Sequence, residues 1–283
     1  MGICKYCDKP VGFLRNKHPE CKKQHQEKER AIQEGREKII EEITKTILGS
    51  ESFENLEKKI SDIEQSSFVP IEERKNLLIK GWENSVGKLL EDGIVGRSEE
   101  DRLSDFRERF ALSQKELDIN GAFTKTAKAA VLRDVINGII PQRCNIVGNL
   151  PINFQKNEQI VWAFPESQYL EDKVRRQYVG GTHGVGIRIM KGVYYRMGAF
   201  KGRPVDHVER VHIDTGIVVI TNKHIYFAGS RKSLRIPYIK IISFEPYSDG
   251  IAVMRDASTA KPQVFITGDG WFTYNLVTNL SKM

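Results

Sequence analysis

The sequence has no apolar run approaching the ~20 residues that cross a bilayer, and its mean hydropathy is −0.42. It also lacks the apolar core of a secretory leader, because the stretch from Cys4 to Cys21 is polar and basic. Both absences point to a protein of the cytoplasm. Cysteine is scarce: there are four, and only Cys144 lies outside the first 21 residues. A secreted disulfide scaffold spreads its cysteines along the chain, so this clustering excludes that class and directs attention to metal. A catalytic constellation is missing too. No serine or cysteine nucleophile stands with a base and an orienting group, and His183, His207, His212 and His224 follow no ligand spacing. Gly181 and Gly186 stand at the interval of a phosphate loop, but Ile187-Arg188 follow where Lys-Ser/Thr is required, and the pattern continues as strand. A glycine-rich hairpin loop accounts for Gly180–Gly186. No enzymatic activity is expected.

Apolar residues make up 40% of the 283 positions and charged residues 29%, enough for real cores. The length accommodates two domains and a small appendage. The net charge of +7 is unevenly placed. Residues 1–30 hold eight Lys/Arg against four Asp/Glu, residues 31–149 hold 18 against 22, and residues 150–283 hold 18 against 11. Two basic ends flank an acidic middle, so an anionic partner would meet the ends.

The N-terminal segment runs Cys4-Lys-Tyr-Cys7, ten further residues, then His18-Pro-Glu-Cys21. A C-x2-C turn brings two thiolates to one side of a tight knuckle. His18 and Cys21, three apart at a helix start, share a face. Together Cys4, Cys7, His18 and Cys21 form a closed tetrahedral set for structural Zn2+. So short a segment has no hydrophobic core, and metal binding would supply most of its folding free energy, on the order of 10 kcal/mol. A redox C-x2-C is disfavoured, since no strand of a βαβ unit precedes it. His25 in place of His18 gives another acceptable spacing. His18 is preferred because Glu20 to Lys45 read as one helix, which carries His25 a turn away. The segment resembles short zinc-ribbon-like N-terminal modules of bacterial proteins, a resemblance that covers residues 1–25 and implies a docking or structural role.

From Cys21 to Ile47 the pattern is helical, with Ile32, Ile39, Ile40, Ile43 and Ile47 on a narrow stripe. Further amphipathic helices are expected at Phe53–Ser66, Ile71–Leu90, Ser98–Phe110 (with Ser98 as N-cap) and Ala122–Gly138. The stretch Leu90 to Leu103 resembles the helix-connecting turn of tellurite-resistance-type helical domains, over about residues 71–140. An EF-hand fails there, because Lys88 and Leu90 would occupy its first ligand positions. A carboxylate site at Asp92, Glu99 and Glu100 competes with ordinary helix capping.

Beyond Pro151, short β-rich runs are separated by turn signals. Strands are expected at Ile160–Phe164, Lys173–Val179, Gly186–Met190, Gly192–Met197, Ser233–Ile236, Lys240–Phe244, Gly250–Met254 and Gln263–Thr267. The stretch Val208 to Ser230 is read as strands with hairpin turns at Asp214–Gly216 and Thr221–Lys223. A last helix, capped by Asp269, would bury Trp271, Phe272, Leu276, Val277 and Leu280. Gly216-Ile-Val-Val-Ile-Thr-Asn-Lys-His-Ile-Tyr-Phe, followed by Ser233–Pro237 and Ile241–Phe244, resembles the pleckstrin-homology-like superfamily in its GRAM or bacterial form, over about residues 155–283. That resemblance implies a small barrel plugged by the final helix and a binding rather than catalytic role. Its lipid readers use basic residues on the first strands and their connecting loop. Here those positions are Lys173, Arg175, Arg176, Arg188 and Lys191, with Tyr178; a solvated strand face is their bland alternative.

The expected architecture is an α+β multidomain chain: a zinc knuckle (1–25), a helical region (26–149), and an antiparallel β-barrel closed by a C-terminal helix (150–283). The expected function is a non-enzymatic zinc-binding adaptor for a protein partner or an anionic membrane surface. The runner-up is nucleic-acid binding by the knuckle, through Lys5, Arg15, Lys17, Lys22 and Lys23, with Tyr6 stacking; the acidic middle stands against it.

Overall fold

The computed structural model describes residues 2–12, 16–91, 95–144, 150–179, 182–190, 193–200, 203–257 and 261–283, and between 173 and 208 only strands and their pairing. The chain divides into two compact units, Met1–Arg133 and Asp134–Met283.

The first unit opens with a two-strand hairpin, β1 (Gly2–Ile3) and β2 (Pro10–Val11), paired Gly2 to Val11 and Ile3 to Pro10. Helix α1 (Pro19–Leu48) follows. Ile39, Ile43 and Ile47 lie four apart, one above the other, and are buried against α2 (Phe53–Ser67) and α3 (Arg74–Leu89). Trp82, Leu56, Ile60 and Phe106 complete this core, and the Trp82 indole N–H donates to the Leu103 carbonyl at 3.2 Å. Arg102 closes the far end of α1, donating to the carbonyls of Thr46, Ile47 and Glu51. A guanidinium there satisfies helix-end carbonyls and faces the negative pole of the helix.

Three local expectations shift. Ile71–Glu73 form a 3-10 turn after Pro70 instead of opening α3, and Glu73 is held there by two 2.6 Å hydrogen bonds from Arg36. Helix α4 (Arg97–Arg109) is capped at Gly96, not Ser98, because the Glu99 carboxylate reaches back to the Gly96 N–H at 2.7 Å. A four-residue helix α5 (Gln114–Leu117), too short to show a period, precedes α6 (Ala122–Ile136). Ser113 and Glu116 cap α5 reciprocally, with the Ser113 hydroxyl accepting from the Glu116 N–H and the Glu116 carboxylate accepting from the Ser113 N–H.

In the second unit a seven-stranded antiparallel sheet is built on β3 (Ile160–Val179) and β6 (Arg203–Thr221). On one side of this pair lie β7 (His224–Gly229) and then β8 (Ser233–Pro237). On the other lie β11 (Gln263–Ile266), β10 (Gly250–Arg255) and β9 (Ile241–Pro246). Helix α7 (Gly270–Leu280), capped by Asp269, packs on β9 and β10 and buries Phe272, Leu276, Val277 and Leu280. Trp271, expected inside, is 57% exposed. The sheet is antiparallel as expected but is not closed into a barrel: β8 and β9 remain its edges. Those edges are nonetheless consecutive in sequence, joined only by the 3-10 turn Tyr238–Lys240. Laid flat, seven strands would separate them by roughly 29 Å, more than three residues can bridge. The sheet therefore curls until its edges meet at the corner formed by this turn, which β8 enters at Pro237, a residue with no N–H to give a ladder.

The expected hairpin turn at Asp214–Gly216 is absent, because β6 runs through it with a bulge between His212 and Asp214. Asp214 instead turns its carboxylate to the β7–β8 loop, accepting from the N–H groups of Arg231 and Lys232 at 2.6 and 2.9 Å. Those donors, Arg231 first, hold Asp214 below its ordinary pKa despite its burial. Gly216 serves close approach, since a Cβ there would lie 2.1 Å from the Ala228 carbonyl oxygen. The Thr221–Lys223 turn is present between β6 and β7. It is locked by Glu158, whose side chain is fully shielded and accepts from His224 Nδ1 and Tyr226 OH at 2.7 Å each, and from the Thr221 hydroxyl and the Gln155 N–H.

Beyond Glu171, β3 pairs only with β6, forming a two-stranded ribbon. β4 (Thr182–Met190) and β5 (Val193–Phe200) form a separate two-stranded antiparallel sheet, with Thr182 opposite Phe200. Among the described residues β4 and β5 pack on each other and make no more than isolated contacts with other elements.

Two outcomes follow for stability. In α3, a Cβ on Gly81 would sit 2.4 Å from Ile43 Cγ2, so Gly81→Ala should destabilise the helical unit by about 1–3 kcal/mol in urea unfolding. Burial pushes the Glu158 pKa up, but its donors, Thr221 first, outweigh that and leave it below 4.5. A carboxylate with a depressed folded pKa contributes stability above its unfolded value and loses it as pH falls through the folded one. The second unit should lose stability as pH drops below about 4.5, and Glu158→Gln should flatten that part of the curve in thermal melts across pH.

Candidate metal centre

The hairpin and the start of α1 bring the centre together. Cys4 leaves β1 and is buried; its N–H donates to the Lys9 carbonyl at 2.9 Å, and its own carbonyl accepts from Asp8 at 2.9 Å. Asp8 turns the chain in the left-handed region, φ 55°. These bonds fold Cys7 back beside Cys4. Lys5 donates to Asn16 across the knuckle at 3.1 Å. His18 is the residue before α1, and Pro19 supplies a preset first helical position with no N–H to strand. Cys21 follows in the first turn.

The ligand atoms of Cys4, Cys7, His18 and Cys21 all lie within 4.8 Å of one another, the one such group among the described residues. His18 Nδ1 is 3.4 Å from Cys7 Sγ and 3.8 Å from Cys21 Sγ. A tetrahedral zinc bonded at ~2.3 Å to sulfur and ~2.05 Å to nitrogen spaces its ligand atoms by roughly 3.5–3.8 Å. All three thiols are free of disulfides. His18 Nε2 lies 3.1 Å from the Pro10 carbonyl, so it carries the proton donated there and leaves Nδ1 as the lone-pair nitrogen facing the sulfurs. The set can hold a metal ion.

Its electrostatics suit a cation. Burial raises Cys4, yet the N–H groups of Tyr6, His18 and Cys7 point at its sulfur and bring it down to about 6. Cys21 is pushed up to about 11, by its contact with Cys7 first, then by burial and by the charge of Cys7 and Cys4. Crowded thiolates repel one another, and a dication removes that repulsion.

His25 is placed elsewhere. Its ring meets Tyr6 at 4.5 Å, and its Nε2 lies 3.4 Å from Glu29. Lys5 Nζ covers Tyr6 at 4.8 Å from the ring centroid. The Pro10 carbonyl, as acceptor for His18, carries no sequence signal of its own. Of the acidic residues weighed at the α4 start, Glu99 caps Gly96, Glu100 pairs with Arg133 at 2.9 Å, and Asp92 lies outside the described residues. Lys173, Arg175 and Arg176 belong to β3 and Arg188 to β4, with side chains outside the description; Lys191 lies outside the described residues altogether. No family model matches the chain, and no curated protein matches it.

Metal analysis should return about one zinc per chain. Cys4→Ser or Cys21→Ser should release it and unfold residues 1–25, while the Ile39–Trp82 core and the sheet keep their melting transitions. His18→Ala should lower affinity by at least tenfold, and His25→Ala should leave it near wild type. Zinc retained by both cysteine variants would refute the site.

Proposed function

We propose that this chain is a non-enzymatic, zinc-binding adaptor. Residues 1–25 form a zinc-ribbon-like knuckle closed around structural Zn2+ by Cys4, Cys7, His18 and Cys21. The C-terminal unit serves as a pleckstrin-homology-like module that recognises a protein partner or an anionic membrane surface. The observation that carries the reading is the Cys3His group itself, since four protein ligands fill a tetrahedral site and leave no open position for substrate or water.

The sheet supports a recognition role. Its strands β8 and β9 are unpaired edges, and Ile239, Ile242 and Trp271, on or beside the β9 edge, are 90%, 66% and 57% exposed. An open edge can take a further strand from a partner, with main-chain hydrogen bonds giving affinity and neighbouring apolar side chains giving selectivity. No helix among the described residues is long and apolar enough to cross a membrane, so contact with a bilayer would be peripheral.

The test is affinity capture from the native host with the full chain, with a chain lacking residues 1–25, and with an Ile239→Lys/Ile242→Lys chain. A partner retained without the knuckle and lost with the paired isoleucine change supports recognition by the sheet. Turnover of a substrate that disappears on changing one polar residue would sink the non-enzymatic reading.

A further inference from the structure

The three cysteines of the metal centre do not share one environment. Cys4 is fully buried, and the N–H groups of Tyr6, His18 and Cys7 point at its sulfur. Cys7 and Cys21 are half-buried. Together with Lys9, His18, Pro19 and Glu20 they line an open cleft of about 460 Å³, and Cys4 does not line it. Two of the three cysteines therefore face solvent, and the third is shut off from it. Cys7 and Cys21 also belong to different pieces of chain, one between β1 and β2 and the other in the first turn of α1. Both are free thiols, and their sulfurs lie within 4.8 Å of each other. A disulfide brings two sulfurs to about 2.05 Å, so the gap to close is at most roughly 2.8 Å. Rotation of the half-exposed Cys21 side chain about its first bond covers that order of distance.

We propose that Cys7 and Cys21 form a modification site for hydrogen peroxide, whose oxidation to a disulfide ejects the metal. The inference rests on the zinc reading of the Cys3His group and adds the chemistry that would undo it. Zinc holds its sulfurs as thiolates at neutral pH, and the thiolate is the nucleophilic form. A bound thiolate keeps lone pairs that the metal does not use, so a closed coordination sphere does not shield it. A sulfur at the cleft attacks one oxygen of the peroxide. The O–O bond breaks, the other oxygen leaves as hydroxide and takes up a proton to become water, and the sulfur becomes a sulfenic acid. The second thiolate then attacks that sulfur, hydroxide leaves and is protonated, and the S–S bond forms. In sum, two thiolates, one peroxide and two protons give one disulfide and two waters, with two electrons passed from sulfur to oxygen. The ion is left with Cys4 and His18, half of its ligand set, and departs as Zn2+. Hydrogen peroxide is small and uncharged, so the opposite charges of Lys9 and Glu20 at the cleft pose no barrier to it. Cys4 is not the partner, because it is shut off from the cleft and would have to give up the N–H groups aimed at its sulfur.

The experiment adds hydrogen peroxide, at about one to ten equivalents per chain, to reduced, zinc-loaded, full-length protein. Zinc release is read with a chromophoric chelator, and disulfides are located by peptide mass mapping. Wild type should release about one zinc per chain and yield a Cys7–Cys21 peptide pair lighter by two hydrogens. A thiol reductant with added zinc should restore the loaded state. Cys7→His and Cys21→His each exchange a sulfur ligand for nitrogen, so both should keep zinc, as Cys2His2 sets do, and release it at least about tenfold more slowly. The mapping of wild type keeps the test sound if either variant fails to load. Cys144→Ser should behave as wild type. Reduced wild type that holds zinc and keeps it under peroxide would overturn the inference and leave the metal reading standing. So would a disulfide through Cys4 or Cys144, or zinc-loaded histidine variants that release metal as fast as wild type. Reduced wild type without zinc would overturn the metal reading and this inference with it.

Discussion

Everything in the C-terminal unit hangs on the pairing of β3 with β6. The two strands lie side by side from Ile160–Thr221 to Val179–Arg203, and every other strand of the seven-stranded sheet is added outward from them. Bulges interrupt the pairing near Trp162, between Phe164 and Ser167, and at Tyr169–Leu170. Bulges increase local twist and bend, which lets a seven-stranded sheet curl far enough for a three-residue turn to join its outer strands. Past Glu171 the register of β3 with β6 holds as far as Val179 opposite Arg203, and the pair runs on as a ribbon. One ladder thus produces a curved sheet over half its length and a long ribbon over the other half, according to where irregularities occur.

The two units solve the same thermodynamic problem by different means. The helices bury isoleucine, leucine and tryptophan around Ile43 and Trp82. The sheet buries Tyr169, Phe227 and Phe265 in mutual contact, with ring centroids 5.3–6.2 Å apart. The knuckle has almost nothing to bury beyond Cys4 and Val11. Its backbone hydrogen bonds instead arrange sulfur and nitrogen atoms around a common centre, and a metal–ligand set takes the place that side-chain packing holds elsewhere.

How much of this was legible follows from how far each signal reaches along the chain. The stripe Ile39, Ile43, Ile47 marked α1 to within two residues, because a helix is written in local spacing. The four ligands stood out because their soft donors fall within 18 consecutive residues, at intervals that a single tetrahedral ion imposes. Asp214 misled, because Asp-Thr-Gly has the composition of a turn, while the structure uses the carboxylate as acceptor for a loop 17 residues away and the glycine for close contact with Ala228. Barrel closure depends on whether β8 meets β9, a pairing no local pattern encodes. The run of β3 through Glu166, at φ 54°, was likewise hidden, since sequence shows a break where the structure places a bulge.

Helix α1 connects the knuckle to the helical core, and its first buried residue is Gly35. Before that, Ile32 packs against the core, Lys28 lies over Phe68 and His25 meets Tyr6, and the exposed side of the helix carries Lys23 with Glu27, His25 with Glu29, Arg30 with Glu34 and Gln33 with Glu37, each pair four residues apart. Such pairs contribute about 0.3–0.5 kcal/mol apiece and weaken as electrolyte screens them. The segment is therefore a strut whose bending stiffness depends on ionic strength. Added salt would loosen these exposed pairs while leaving untouched the Ile32 contact and the buried stripe that follows it.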